Sequence, residues 1–418
     1  MWGNLVVDNS TPSKKQAVLE DAVERLKDLS VSVIRGDKAA LANEANTALV
    51  AAARKAGLTL STSDLAELTA QVIAQVGGLG FLHSLIYHRA AGPLSEIAVN
   101  PDGSIWILPK GKSHFERAPL NPAREEVMRS VEALLAPLGR ALTEATPSVD
   151  AKLPREADFG GARVKVLHPV VCPGAGFPSI NIRLFEPKPV APEQIIQWQV
   201  APESVVRMLL EAVSRRARLL LVGGTNTGKT TLLSALARGI PESARVVKIE
   251  DPEEIWLAHS NVVTLEARPA PPGSDVPPYT IRNGVDDAMR MSPHWLVVGE
   301  VRTGDAALAL FRAQMSDHPG LSTFHAEGPD EAVFRMALIM FADAQIKLEA
   351  AKGIFEQAVD LVVHVGWLNM NGANRRRILG VYQTEGMPSG KGDVRFKVLW
   401  KADMESPLPY LGRRGGSE

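Results

Sequence analysis

The chain has 418 residues, 45% hydrophobic and 22% charged, with 46 Lys and Arg against 47 Asp and Glu. That length allows two or three domains, and a net charge of −1 argues against a protein that works by coating nucleic acid, although a local basic face stays open. No uninterrupted apolar run is as long as a membrane span and no signal peptide is visible at Met1–Ser30, so a soluble, cytoplasmic chain is expected, with docking on a membrane complex left open.

The first 13 residues look frayed. Leu19, Val23 and Leu26 predict an amphipathic helix over 14–29. Lys38 to Ala56 is alanine-rich and helical in composition, and Asp64 with Glu67 suggests a further helix start, continued by Leu65, Leu68, Val72 and Val76. Residues 1–90 therefore read as a helical domain for packing or partner binding. At Glu96 the period changes to two. Segments 96–100 and 104–108 flank Pro101-Asp-Gly103 as a hairpin, 125–136 reads as a helix stopped by Pro137, and 163–167 and 179–183 read as strands. Residues 91–188 thus form an α+β domain. Arg163 and Arg183 lie on the polar side of two of its strands. They are either solvated strand arginines or a planar fork for a phosphate. Cys172, the only cysteine, leaves no intrachain disulfide and no cysteine-built zinc site. Proline-rich sequence at 187–192 opens a linker assigned to 189–203, and a helix over 204–214 leads into the second half, 204–418.

There the apolar run Leu219–Val222 reads as a buried parallel strand. It is followed by Gly223, Gly224, Thr225, Asn226, Thr227, Gly228, Lys229, Thr230 and Thr231, which contain the spacing Gly, four residues, Gly-Lys-Thr. Glycines let backbone wrap phosphates, and successive N–H groups with a helix N-terminus supply positive potential. Lys229 is expected on the β- and γ-phosphates and the Thr230 hydroxyl on Mg²⁺. A strand over 244–249 ends in Glu250-Asp251-Pro252-Glu253-Glu254. This acidic stretch either orients the attacking water near the metal or caps a following helix. A loop over 267–279 is proline-rich. The strand Trp295–Val298 then leads to Gly299, Glu300 and Arg302, where Glu300 would hold the metal through water or act as general base. His325 ends a strand beginning near Gly320, as a structural histidine or a sensor of the γ-phosphate. Residues 382–418 trail off, with 413–418 expected to be disordered.

The phosphate loop, the acidic box 249–254, Gly299-Glu-Val-Arg302 and Ser322-Thr-Phe-His-Ala326 occur in this order. Together they resemble the Walker A, Asp box, Walker B and His box of the bacterial type II/type IV secretion ATPase superfamily. Gly78–Leu82, Glu96–Asn100, Gly139-Arg140, Asp150-Ala151, Arg163-Val164, Leu265–Pro269 and Thr280–Arg282 are similar to its CpaF/TadA (tight-adherence pilus) branch. Type IV secretion and conjugation ATPases share the same pattern. The likeness spans 65–365. It implies an α/β, RecA-like ATPase domain, a homohexamer and a place at the cytoplasmic face of an inner-membrane pilus or secretion machine. It also implies ATP and Mg²⁺ as cofactors, with nucleotide between the two domains. By the same carry-over Arg163, Arg183, Glu250, Asp251 and Arg302 join the nucleotide site, and Glu254, Glu300, Lys229 and His325 the catalytic set. The single cysteine excludes the four-cysteine zinc motif usual in type II secretion and pilus-extension ATPases. Ser292, His294 and Ser316–Gly320 depart from the family pattern. The expected function is an ATP-hydrolysing motor. The alternatives are a RecA-like nucleic-acid motor, disfavoured by 5% aromatic content and a net charge of −1, so that no direct nucleic-acid binding is expected, and a nucleotide-dependent scaffold that does not hydrolyse.

Overall fold

The computed structural model describes residues 14–26, 38–76, 79–86, 92–155, 159–270, 274–370, 372–387 and 392–410. The expectations for the first 13 residues, Gly78 and 413–418 lie outside the described residues. The chain divides between Phe185 and Glu186 into two compact units.

The first unit opens with three helices, α1 (Lys14–Arg25), α2 (Lys38–Lys55) and α3 (Thr62–Val76). Val18, Leu19, Ala22, Ala45, Leu49, Leu68 and Val72 close a small core between them, the i, i+4 stripe at work. The start of α3 corrects the sequence reading by one turn. Ser61 Oγ accepts from the Asp64 N–H at 3.1 Å and Asp64 accepts from the Ser61 N–H at 3.3 Å, a reciprocal cap that leaves Glu67 inside the helix. A short helix α4 (Phe81–Ile86) follows.

The strands β1 (Leu94–Val99), β2 (Ile105–Pro109), β3 (Glu116–Arg117), β4 (Ser148–Leu153), β5 (Ala162–Leu167) and β6 (Ser179–Leu184), with helix α5 (Arg124–Leu135), complete this unit. The sheet runs β3-β2-β1-β6-β5-β4, antiparallel at every pairing. Its inner face (Ile97, Val99, Ile105, Ile107, Val164, Val166, Ile180, Ile182) packs with Val127, Val131 and Leu134 of α5. In the expected hairpin, Asp102 accepts from the Ser104 N–H at 2.8 Å and Gly103 takes φ +83°, the local bond and left-handed residue a tight turn needs.

The second unit contains α6 (Pro192–Gln197), α7 (Glu203–Ser214), β7 (Leu219–Val222), α8 (Lys229–Leu236), β8 (Val246–Glu250), β9 (Val262–Glu266), α9 (Ile281–Ala288), β10 (Trp295–Val298), α10 (Gly304–Met315), β11 (Gly320–Phe324), α11 (Pro329–Ala344), α12 (Leu348–Ala358), β12 (Leu361–Met370), β13 (Ala373–Gly386) and β14 (Arg395–Lys401). Its sheet runs β14-β13-β12-β7-β11-β10-β8-β9. From β12 to β9 every pairing is parallel, and β13 and β14 add an antiparallel edge. Two apolar clusters cover the faces of this sheet, which is why β7 and β10 are apolar at every position rather than alternating.

Two sequence readings change here. Residues 189–203 are not a bare linker, since α6 buries Ile195 in the core of the second unit. Residues 382–386 and 395–401 do not trail off: the first end the long strand β13 and the second form the edge strand β14. Among the described residues, no helix is long and apolar enough to cross a membrane.

At the base of β7, Arg218 donates through Nε, Nη2 and its backbone N–H to the carboxylate of Asp360 at 3.0, 2.7 and 2.8 Å. Its Nη1 reaches the Gln314 carbonyl at 3.2 Å. This buried pair ties the start of β7 to the start of β12 and to the end of α10. Arg218→Met leaves a carboxylate buried without its counter-charge. It should lower the stability of the second unit by about 3 kcal/mol or more, read as a fall in the denaturant midpoint of that unit.

Candidate functional site

Parallel register brings the expected motifs to one edge of the second sheet. Val222 aligns with Phe324, Ser322 with Val298, and Val298 with Ile249. The segments leaving β7, β11, β10 and β8 therefore emerge at the carboxyl ends of neighbouring strands, where open α/β sheets bind ligands. In strand order they carry the phosphate loop, His325, Glu300 and Glu250–Glu254.

The loop needs its glycines for space. A Cβ on Gly223 would lie 2.1 Å from the Val365 carbonyl oxygen of β12. Gly228 takes φ +94° as the residue before α8. Thr227 Oγ1 donates to the Gly224 carbonyl at 2.9 Å. Lys229, buried at the first position of α8, donates to the carbonyls of Gly223 and Gly224 at 3.0 and 2.9 Å. An ammonium held inside a ring of backbone, beside a helix start, is the donor set for a polyphosphate. Thr230 is half-buried on the first turn and Thr225 is exposed at the loop's crest.

Glu250 differs from its expected role. It is 2% exposed, and its carboxylate accepts from the backbone N–H groups of Glu254 (3.2 Å) and Ile255 (3.0 Å). Lys248 Nζ, equally buried, lies 3.0 Å from Glu250 and 2.9 Å from Glu253, and also donates to the Ile255 carbonyl. Burial pushes the Glu250 carboxyl up, while Lys248 and the two N–H donors pull it down. Glu250 is therefore spent on shaping the acidic turn. No helix follows that turn, so the helix-cap alternative falls away. The same side chain explains Gly299, because a Cβ there would sit 2.9 Å from Glu250 Cγ.

Asp251 is exposed and Glu254 and Glu300 are half-buried. Arg302 donates through Nε to Glu300 at 2.6 Å and lies 3.8 Å from Asp251, so one exposed guanidinium links the two acidic loops. The Walker-B-like turn is pinned from below: Thr323 Oγ1 donates to the Gly299 carbonyl at 2.6 Å, and the Gly299 N–H donates to Ile249 O at 2.9 Å. The proline-rich loop is closed at its ends, where Arg268 and Tyr279 exchange backbone bonds of 2.7 and 2.9 Å. Of the family departures, Ser292 takes φ +53°, and His294 Nδ1 accepts from the Arg245 N–H at 2.8 Å.

Arg163 and Arg183 lie in the first unit, directly opposite one another across β5 and β6. The row continues to Lys152 on β4 and to Glu96 on β1. Neither arginine has a hydrogen-bond or ion-pair partner among the described residues, so the sheet presents two adjacent guanidinium groups.

Three residues of the second unit escaped the sequence reading. Lys248 was read only as part of the strand over 244–249. Arg376 of β13 donates to Asn226 of the phosphate loop, and only the run Arg375-Arg376-Arg377 hinted at it. His364 on β12 aligns with Val222, the last residue before the loop. Burial lowers its imidazole below the usual 6.5, against an upward pull from Glu327 and Glu331.

Residues 84–365 match a family model described as type II/IV secretion system protein. The chain is 28% identical over 295 residues to the conjugal transfer protein TrbB of Rhizobium radiobacter, covering 70% of this chain and 84% of that one. It is 26% identical over 322 residues to the type IV secretion system protein PtlH of Bordetella pertussis, covering 71% and 92%. Among solved structures, the pilus retraction motor PilT with bound ADP is similar at a TM-score of 0.52 and 17% identity, covering 71% of this chain and 81% of that one, a likeness of fold alone.

Because its folded-state value is depressed, neutral His364 contributes stability that is fully present above about pH 6.5 and is lost as pH falls through the folded value. His364→Gln should flatten that slope. The check is the denaturant midpoint of the second unit between about pH 7.5 and 5, in both proteins.

Proposed function

The chain belongs to the type II/IV secretion system protein family, and on that premise we propose that it is a Mg²⁺-dependent ATPase motor, working as a hexamer at the cytoplasmic face of an inner-membrane secretion, conjugation or pilus machine. The observation that carries the reading is the convergence of four strand ends on the phosphate loop. A P-loop alone would fit many nucleotide-binding proteins. A loop flanked in strand order by a histidine, a half-buried glutamate and a braced acidic turn fits phosphoryl transfer to water.

In this reading the backbone of 223–230 binds the phosphates and Lys229 turns from the loop carbonyls to the β- and γ-oxygens. Glu300 or Glu254 orients a water for in-line attack on the γ-phosphorus and accepts its proton, the bond to the ADP oxygen breaks, and His325 reports the state of the γ-phosphate. Thr230 and Glu300 would hold Mg²⁺, which supplies charge neutralisation at the β- and γ-oxygens when bound. Arg163 and Arg183, carrying unneutralised charge, stabilise the negative charge of the transferring group. Most catalysis of phosphoryl transfer is such positioning and electrostatics. Glu250 moves from the nucleotide-contacting set to the residue that places Glu254. The single cysteine supports the CpaF/TadA or type IV secretion side of the superfamily, and the match to conjugal transfer and type IV secretion relatives supports the latter.

Steady-state ATP hydrolysis with light scattering on the same samples tests the proposal. Wild type should turn over and form a six-subunit species with ATP. Lys229→Ala and Glu300→Gln should each lose at least about 100-fold in rate, Glu300→Gln while still binding nucleotide. Tight binding without turnover in an assembled ring would instead make the protein a nucleotide-dependent scaffold. Arg163→Ala and Arg183→Ala should each lower kcat by at least about 100-fold, and an unchanged kcat would return them to the solvated face of their sheet.

A further inference from the structure

We propose that Arg376 is a positioning residue for the phosphate loop, gripping Asn226 so that the loop keeps the shape that accepts phosphate. The inference rests on the nucleotide-binding reading above and adds to it a residue outside the four motifs.

Asn226 stands at the crest of the loop with φ +59°, a left-handed conformation that is free for glycine and disfavoured for a residue with a Cβ. Asparagine tolerates it better than most, but it still needs to be held there. Arg376 supplies the hold from β13, two strands from β7 in the sheet. Its Nε donates to the Asn226 carbonyl at 3.0 Å and its Nη2 to Asn226 Oδ1 at 2.7 Å. One planar fork thus fixes backbone and side chain of the same residue, which a lysine point charge cannot do.

The fork is itself oriented. Trp367 is the cross-strand partner of Arg376 in the β12–β13 register, and the guanidinium carbon lies 5.1 Å from its ring centroid, a cation–π contact. A Cβ on Gly228 would meet Arg376 Cδ at 3.5 Å, so the arginine's stem lies along the loop as well as its head. The carbonyl it engages matters chemically. A carbonyl oxygen loose in an anion-binding loop repels phosphate, and here that oxygen is bound to a cation. The neighbouring strand braces the opposite end of the loop, through Val365 O against Gly223.

The test is a cycle on the full chain, read as the dissociation constant of a fluorescent ADP analogue, with the thermal midpoint as folding control. Arg376→Ala should weaken binding by about tenfold or more, the loss expected for two hydrogen bonds from a charged donor. Arg376→Lys should recover little of it. With N226G already present, the side-chain bond is gone and glycine takes the left-handed conformation unaided, so adding R376A should cost clearly less than in wild type, leaving only the loss of the bond to the backbone carbonyl. Should R376A not fold, R376K is carried through the same two backgrounds. An equal loss with and without N226G, or no loss in either, would overturn the inference, as would N226G abolishing binding on its own. Failure of the wild type to bind the analogue would instead overturn the nucleotide-binding reading, and Arg376's role with it.

Discussion

A carboxylate buried to 2% exposure at the end of β8 governs this site. Glu250 cannot sit there uncompensated, because removing a charge from water costs several kcal/mol per ion. Lys248, Glu254 N–H, Ile255 N–H and the Lys248 contacts to Glu253 and Ile255 O follow from that requirement. Each partner that satisfies the charge also fixes a piece of the acidic turn. The turn is therefore rigid at its root, while Asp251 is exposed and Glu254 half-buried. The next strand must make room as well, and Gly299 does so. Where a Walker B strand elsewhere spends an aspartate, this chain spends a glycine, and the glutamate of the neighbouring strand fills the space.

The phosphate loop shows the same economy in reverse. Thr227 and Lys229 tie the carbonyls of Gly223 and Gly224 from within, but the left-handed Asn226 is disfavoured by its own Cβ and has to be held from outside. Rigidity is imported from β12 and β13, through Val365 O, Arg376 and, behind Arg376, Trp367. The loop thus depends on the antiparallel edge that distinguishes this sheet from a purely parallel one. The Arg218–Asp360 pair fixes where β12 starts relative to β7, and so sets the register of that edge.

Much of this was legible in the residues, and the limits have physical causes. Buried parallel strands announce themselves as apolar runs, so Leu219–Val222 and Trp295–Val298 were readable with the motifs that follow them. The first unit's hairpin was readable because Asp102 and Gly103 encode a turn locally. Strands β13 and β14 were missed because exposed arginines, lysines and glycines hide an edge strand's alternation. Glu250 was misread because composition counts carboxylates and does not see which one points inward. That took the structure, which shows the buried Lys248 beside it. Arg376 was invisible for the simplest reason: its meaning lies in a contact 150 positions away.

That separation has a consequence in time. At synthesis rates of roughly 5–20 residues per second, the ribosome releases the glycine-rich loop on the order of ten seconds or more before it makes the arginine that braces it. Until then the nascent chain holds a phosphate-loop sequence without its buttress. The shape of the loop, as far as Arg376 holds it, is therefore a property of the closed sheet and not of the motif.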